Sequence, residues 1–405
     1  MTAIDLPPAM TAPAVQQVFA ALEAAGGAGC VRFVGGCVRD VVMGREAGDI
    51  DLCTQLVPDA IEAALRAAGI RHVPTGKAHG TITAIVEGTP YEITALREDV
   101  ATDGRRAVVR FTPDWGKDAQ RRDFYLNALY ADIRGQVYDP TGQGWADAAA
   151  GRVRFIGDAE TRIREDYLRI LRFFRFTAGY ARQVDAASLE ACVRLRAGID
   201  HLSGERIAQE LLRLLAVADP VPVCEMMMAR GVMTPVCAGL PVQGQILAAV
   251  CGLTSDPEVR LAGLLWPDGV AAERLGVLSQ RLKLSSRLKL RLKNMSQEID
   301  FQGDESGWVR ALYLRGRAST EDGLILYAAV NGWDRAALGA AQARLAAIEV
   351  PVFPLRASVL MAAGLAGAEL GRQLKRIEAR WYDNGFSQDV ITQAVDDIRK
   401  RTNIG

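Results

Sequence analysis

Three histidines in 405 residues and a formal net charge of zero leave little room for several common chemistries. None of His72, His79 and His201 is followed by an aspartate, so no His-Asp hydrolase centre is expected and each reads as structural. The seven cysteines form no C-x-x-C pair and lie among apolar neighbours. That usage fits reduced thiols in a cytoplasmic protein better than a disulfide framework or a zinc site. Apolar runs never approach the length of about eighteen residues that a membrane span needs. The opening stretch, MTAIDLPPAMTAPAVQQVFAALEAAGG, lacks a basic leader, so no targeting segment is expected. Lys+Arg and Asp+Glu both total 48, so any nucleic-acid surface must come from local segregation of charge.

At 49% hydrophobic and 24% charged, the chain reads as an ordinary globular protein of two to four domains. Composition shifts once along it. Up to about residue 155 there are short β-rich runs such as CVRFVGG, GTITAIVEG and TPYEITALR, punctuated by Gly, Asp and Pro. From GDAETRIREDYLRILRFFRF onward, apolar residues recur at helical spacing. The expected fold class is α+β: a head with a mixed sheet and helices over 1–155, then an all-α neck (156–217), body (218–347) and tail (348–405). The later boundaries rest on the prolines of VADPVPV and IEVPVFP.

The chemistry begins in FVGGCVRDVVMGREAGDIDLCT, Phe33 to Thr54. If DIDLCT is a strand, Asp49 and Asp51 share one face while Ile50 and Leu52 point to the core. Two carboxylates within roughly 7 Å repel each other unless a divalent cation lies between them. The alternative is two solvated aspartates at a strand end. Gly35 and Gly36 are either a structural turn or a close-approach site for phosphate, with Arg39 pairing an oxygen. In KDAQRRDFYLNALY, Arg122 and Asp123 either form a surface ion pair or offer a forked donor and an acceptor to a nucleotide.

Further on, Asp166, Arg169, Arg172 and Arg175 recur every three residues, while Ile163, Tyr167, Ile170 and Phe174 mark another, inward face. A solvated stripe of ion pairs would look like this. Yet Gly151 to Arg182 holds eight arginines against four acids in a chain of zero net charge, which points to an acidic ligand.

These motifs together resemble class II tRNA nucleotidyltransferases, the CCA-adding enzymes of the DNA polymerase β superfamily, over most of the chain. The family's GG-x-VRD and D-x-D stand at Gly35 to Asp40 and Asp49 to Asp51, and its RRDF-T-x-NA stands at Arg121 to Ala128, with Tyr125 in place of the usual Thr. A DP-x-G-G turn matches DPTGQG, with one glycine displaced; ED-x-x-R matches Glu165 to Arg169, and ERI matches Glu205 to Ile207. The resemblance implies transfer of a nucleoside monophosphate from CTP or ATP to the 3′ end of tRNA. It implies two Mg2+ ions on Asp49 and Asp51, with Glu92 the candidate third catalytic carboxylate. Nucleotide binding is expected at Gly35, Gly36, Arg39, Arg122, Asp123, Asn127, Asp166, Arg169, Arg172 and Arg175.

Asp166 and Arg169 are expected to act as a protein template for the incoming base, because cytosine and adenine each show an amine donor beside a ring-nitrogen acceptor. Guanine and uracil reverse that pattern. Within the family, CC-only addition is disfavoured, since EDVATDGRRAVVRFTPDWGKDAQ spans the flexible-loop region without obvious deletion. A bacterial poly(A) polymerase is the runner-up, lacking here the usual basic extension, and a non-catalytic RNA-binding scaffold comes last. RLKLSSRLKLRLKN (Arg281 to Asn294) and GRQLKRIEAR could meet tRNA phosphates or be solvated helix faces. In the tail motif, Ser358 stands where an aspartate is common.

Overall fold

The computed structural model describes residues 2–103, 106–266, 272–295, 299, 301, 303 and 305–402. The chain divides into two compact units between Gly239 and Leu240. This division follows packing and is coarser than the boundaries expected near 155, 217 and 347.

The first unit carries β1 (Thr2–Ala3), β2 (Val31–Val34), β3 (Asp51–Thr54), β4 (Arg71–Gly76), β5 (Thr81–Val86), β6 (Thr89–Ala95), β7 (Arg97–Asp103), β8 (Arg106–Phe111), β9 (Tyr130–Ala131) and β10 (Gln136–Tyr138). Eight of them form one sheet in the order β1-β10-β9-β2-β3-β6-β5-β4, and β7 and β8 form a separate hairpin. Within the large sheet β3 and β6 run parallel and the other strand pairs antiparallel, so the sheet is mixed as expected. Helices follow, and every regular element among the described residues of the second unit is a helix.

Two local expectations change. The strand anticipated from Asp49 starts at Asp51, because its partners end there: Leu52 pairs with Phe33 on one side and Asp51 with Glu92 on the other. Beyond Phe33 and Val34 the chain of β2 turns into the helix Gly36–Val42, so Asp49 has no strand to join and lies in an exposed bend. The ED-x-x-R segment is also two helices, Ala159–Glu165 and Leu168–Tyr180, rather than one. Asp166 breaks them apart with φ −158° and ψ 106°. Its Oδ1 accepts a hydrogen bond from Leu168 N at 3.1 Å, a local side-chain bond that competes with helix continuation and opens the next helix. Asp166 therefore stands at a junction, off the stripe of Arg169, Arg172 and Arg175.

The apolar face behaves as its spacing demands, with Ile163, Ile170 and Phe174 fully buried. Phe173 stacks on Phe155 at 5.9 Å, and Phe155 packs at a tilt against Phe124 at 4.9 Å, which ties the helix Leu168–Tyr180 to the residue just after the Arg-Arg-Asp motif. Truncating such a ring removes its transfer energy and leaves a cavity. Phe173→Ala is expected to lower unfolding free energy by about 3–5 kcal/mol in denaturant titration.

In the second unit, the helix Glu305–Val330 is broken at Gly316 (φ 75°, ψ 165°), a conformation that favours glycine. The basic run 281–294 spans the end of one helix, Ala272–Leu282, and most of another, Ser286–Met295. Its arginines are partly spent inside the unit: Arg291 pairs with Asp256, Glu258 and Asp322, and Arg287 pairs with Glu258. Lys283, Lys289 and Lys293 are exposed. Among the described residues no helix is long and apolar enough to cross a membrane.

Candidate active site

A cavity of about 370 Å³ opens in the first unit where β2 gives way to the helix Gly36–Val42. It gathers Gly35, Gly36, Arg39, Asp51, Arg122, Asp123, Asn127, Asp166, Arg169 and Arg172, drawn from segments scattered over about a third of the sequence. Val34, Arg121 and Phe176 complete the lining. Asp49, Glu92 and Arg175, expected with them, do not line it.

Asp51 heads β3 at the cavity wall, and the parallel register sets Glu92 of β6 directly beside it. Burial pushes the Asp51 carboxyl up to about 6, and the charges of Glu92 and Asp49 push the same way against the pull of Arg122. Three hard-oxygen donors repelling one another in this way fit a divalent cation of the Mg2+ type. Among the described residues no three His, Cys, Asp or Glu side chains draw together closely enough to hold a metal alone. Mg2+ does not require an all-protein cage, since it usually keeps waters and substrate phosphate oxygens as ligands.

Gly35 lies at φ 70° and ψ −118°, where an L side chain is strained, so glycine is required at the turn itself. Arg39, expected to pair a phosphate oxygen, is almost fully buried and engaged internally. Its Nε donates to Asp40 at 2.9 Å, Nη1 to Asn127 Oδ1 at 2.7 Å and Nη2 to the Tyr180 hydroxyl at 2.6 Å. The guanidinium also lies over the Tyr180 ring at 3.8 Å. In this arrangement Arg39 ties the glycine turn to the helix Leu168–Tyr180.

The Arg-Arg-Asp motif does not pair within itself. Both arginines bind Asp118, three and four residues earlier, while Asp123 receives Arg172 at 2.6 Å. Asp123 is buried, which would raise its carboxyl, but Arg172, the Asn127 amide and Phe124 N hold it below the usual carboxylate range. Arg172 in turn stands 3.8 Å from the buried Glu210, which takes Arg175 Nε at 2.7 Å. That pairing turns Arg175 away from the cavity, where it packs over Phe176 at 4.2 Å.

At the other end, Asp166 Oδ2 accepts from Arg206 Nη2 at 2.7 Å, so the ERI segment clamps the helix junction. Arg169 Nη1 donates to Glu165 and to Arg162 O, the latter at 2.8 Å. Asp166 and Arg169 line one cavity with Asp51 and Arg122. The arrangement joins a glycine turn beside one carboxylate to a second carboxylate and a guanidinium that are bonded to Arg206 and Glu165 respectively, groups whose chemistry suits a polyphosphate and the edge of a planar base.

Sequence reasoning passed over Asp118, Arg121, Tyr130, Glu210 and Phe176. For Asp118 a signal existed, since an acid three and four residues before two arginines on a helix faces both. Glu210 follows Glu205-Arg206-Ile207 on the same helix, Gly204–Leu215, where Arg213 three residues on is a local partner, but its bonds to Arg172 and Arg175 reach another helix and no local spacing announces them.

Residues 31–154 match the poly A polymerase head domain, and residues 183–241 match a module described as a probable RNA and SrmB-binding site of polymerase A. A mitochondrial CCA tRNA nucleotidyltransferase 1 of Mus musculus is 38% identical over 271 residues, covering 64% of this chain and 60% of the relative. The Danio rerio counterpart is 40% identical over 220 residues, 53% of this chain and 50% of the relative. A CCA-adding enzyme of Staphylococcus haemolyticus is 39% identical over 187 residues, 45% of each chain. The match thus spans about half the length of the curated relatives. In overall fold the chain is similar to the Bacillus stearothermophilus CCA-adding enzyme in complex with CTP, with TM-score 0.74 and 22% identity over 97% of this chain and 100% of that one. It is also similar to the Thermotoga maritima CCA-adding enzyme complexed with tRNA, with TM-score 0.64 and 17% identity over 98% and 100%. Residues 31–154 are thus similar to the poly A polymerase head domain, and the likeness to the solved structures is one of fold.

Proposed function

We propose that the chain adds CCA to the 3′ end of tRNA, transferring CMP and AMP from CTP and ATP without a nucleic-acid template. The observation that carries this reading is the single cavity in which Asp51 and Arg122 meet Asp166 and Arg169. The terminal ribose hydroxyl of tRNA attacks the α-phosphorus in line, a new P–O bond forms, and the bond to the β-phosphate oxygen breaks to release pyrophosphate. Two Mg2+ ions on Asp49 and Asp51, with Glu92 beside them, would neutralise charge on the phosphates and activate the hydroxyl.

The chain's own residues position the nucleotide. Gly35 and Gly36 let the triphosphate approach the backbone, and Arg122 faces it from across the turn. Asp123 and Asn127, held by Arg172 and Arg39, form the wall beside the ribose. Asp166 keeps acceptor capacity beyond its bonds to Arg206 and Leu168, since a carboxylate has about four lone-pair sites. With Arg169 supplying donors, the pair matches the amine and ring nitrogen of cytosine and adenine and mismatches guanine and uracil.

The functional divisions remain those of the sequence: a transferase head, a base-reading neck, and a body and tail whose exposed lysines meet tRNA phosphates. Reduced, mostly buried thiols accord with a cytoplasmic setting. The β7–β8 hairpin occupies the loop region that separates full from partial addition; residues 104–105 and the side chains of 99–108 lie outside the described residues.

The test is incubation with tRNA lacking its 3′ end, Mg2+ and labelled CTP and ATP. The expected product is longer by three nucleotides. A stop after two cytidines would make it a CC-adding enzyme, long adenosine tracts a poly(A) polymerase, and binding without incorporation a scaffold.

A further inference from the structure

Beneath the cavity lies a carboxylate that the proposed reaction does not use. Asp118, on the helix Trp115–Gln120, is fully buried, and both of its oxygens are engaged. Oδ1 accepts from Arg121 at 2.6 Å (Nη2) and 2.8 Å (Nε), and from Arg97 N at 3.3 Å. Oδ2 accepts from the Tyr130 hydroxyl at 2.7 Å and from Arg122 at 2.9 Å (Nη2) and 3.2 Å (Nε). Two adjacent guanidiniums would repel each other. One carboxylate between them cancels one of the two charges and grips each fork by its Nε edge.

What that grip leaves is directional. Arg122 Nη2 also reaches Cys53 Sγ at 3.3 Å, and Nε meets Tyr130, but Nη1 makes no hydrogen bond among the described residues. Nη1 lies 3.7 Å from the point where a Cβ on Gly35 would stand, which places it at the glycine turn on the cavity wall. A long, flexible arginine side chain loses rotamer freedom when it binds an anion, and prior fixation removes that cost.

We infer that Asp118 is a positioning residue for polyphosphate capture: it aims Arg122 Nη1 at the glycine turn and offsets the second positive charge. This rests on the nucleotidyl-transfer reading for the identity of the ligand, but the chemistry required is only that of a polyphosphate anion.

Calorimetric binding of inorganic triphosphate in Mg2+ buffer tests it in the parent, Asp118→Asn, Arg122→Ala and the double variant. Asn keeps the shape and removes the charge. Asp118→Asn is expected to weaken binding about tenfold, and the double variant to lie within about twofold of Arg122→Ala alone, because the carboxylate acts through that arginine. In tRNA extension the same substitution should raise KM for CTP by a similar factor and change kcat much less. Tyr130→Phe, which removes one hydroxyl from the same oxygen, gives a second route should the asparagine variant not fold; about threefold weaker binding is expected, and none of that loss once Arg122 is alanine.

Parent-like binding in Asp118→Asn overturns the assignment, as does a double variant weakened by the product of the two single effects. A parent chain that binds no triphosphate overturns it as well. If instead the linked pattern appears while the parent incorporates no CMP into tRNA, the nucleotidyl-transfer reading fails and the role of Asp118 stands.

Discussion

Replacing Asp51 with asparagine is expected to abolish nucleotide transfer and, at neutral pH, to make the folded chain more stable. The two effects share one cause. Asp51 is pressed by burial and by Glu92 and Asp49, so its folded carboxyl titrates at about 6 instead of the ordinary 3.8. A carboxylate whose folded pKa is raised binds its proton more tightly in the native state. Stability from this residue is therefore full below the ordinary value and declines as pH rises through about 6. Asparagine carries no such charge, which removes a penalty of about 1–2 kcal/mol at pH 7 once partial exposure is allowed for. Thermal unfolding in chelator from pH 4 to 8 checks this, the variant losing the downward slope that the parent shows.

Activity moves the other way, by ~10³-fold or more, because phosphoryl transfer depends almost wholly on positioning and charge neutralisation. A variant that lost activity and stability together would make Asp51 a fold residue. A variant that kept its activity would remove it from the site.

The second large effect concerns base choice. Asp166→Ala is expected to reduce discrimination for CTP and ATP over GTP and UTP by ~10²-fold or more, since rejection rests on half-buried polar groups left unpaired by the wrong base. The measure is kcat/KM for single-nucleotide addition with each of the four triphosphates. Losing the bond to Leu168 N should also cost about 1 kcal/mol of stability, as for a helix cap. Asp166→Asn separates loss of the cap from loss of the acceptor, because its carbonyl can still accept from Leu168 N while its amide sets a donor against Arg206 and against the amine of cytosine or adenine. Inorganic triphosphate should bind both variants as it binds the parent. Selectivity within threefold of the parent in Asp166→Ala would end the template reading.

The reach of the sequence followed the range of the interactions. Gly35, Asp51, Arg122, Asp166 and Arg169 line the cavity and stand in short motifs, so each is legible from a few neighbouring residues. Asp49 was misplaced in a strand because strand ends are set by neighbours: β3 stops where β2 turns away, and alternation within DIDLCT carries no sign of it. Periodicity likewise ran straight through Asp166, since a 3.6-residue pattern does not see one side chain bonding its own backbone two residues on. Arg39 was assigned to phosphate from local context, whereas one of its partners, Tyr180, lies 141 residues later in the chain. The mixed sheet and the helical remainder were readable from composition and punctuation, which are averaged over many residues and survive local errors.

The break between Ala159–Glu165 and Leu168–Tyr180 has a mechanical corollary. Leu168–Tyr180 is braced by its phenylalanines, and Arg206 holds Asp166 from the side, so the slack between these fixtures is confined to one or two peptide units. A rotation there would carry the Asp166 carboxylate with it and would have to break its bonds to Leu168 N and Arg206 and the backbone bond from Arg169 N to Asp166 O. The break therefore makes one carboxylate the fastening point of two helices, Leu168–Tyr180 and Gly204–Leu215, so its removal loosens both at once.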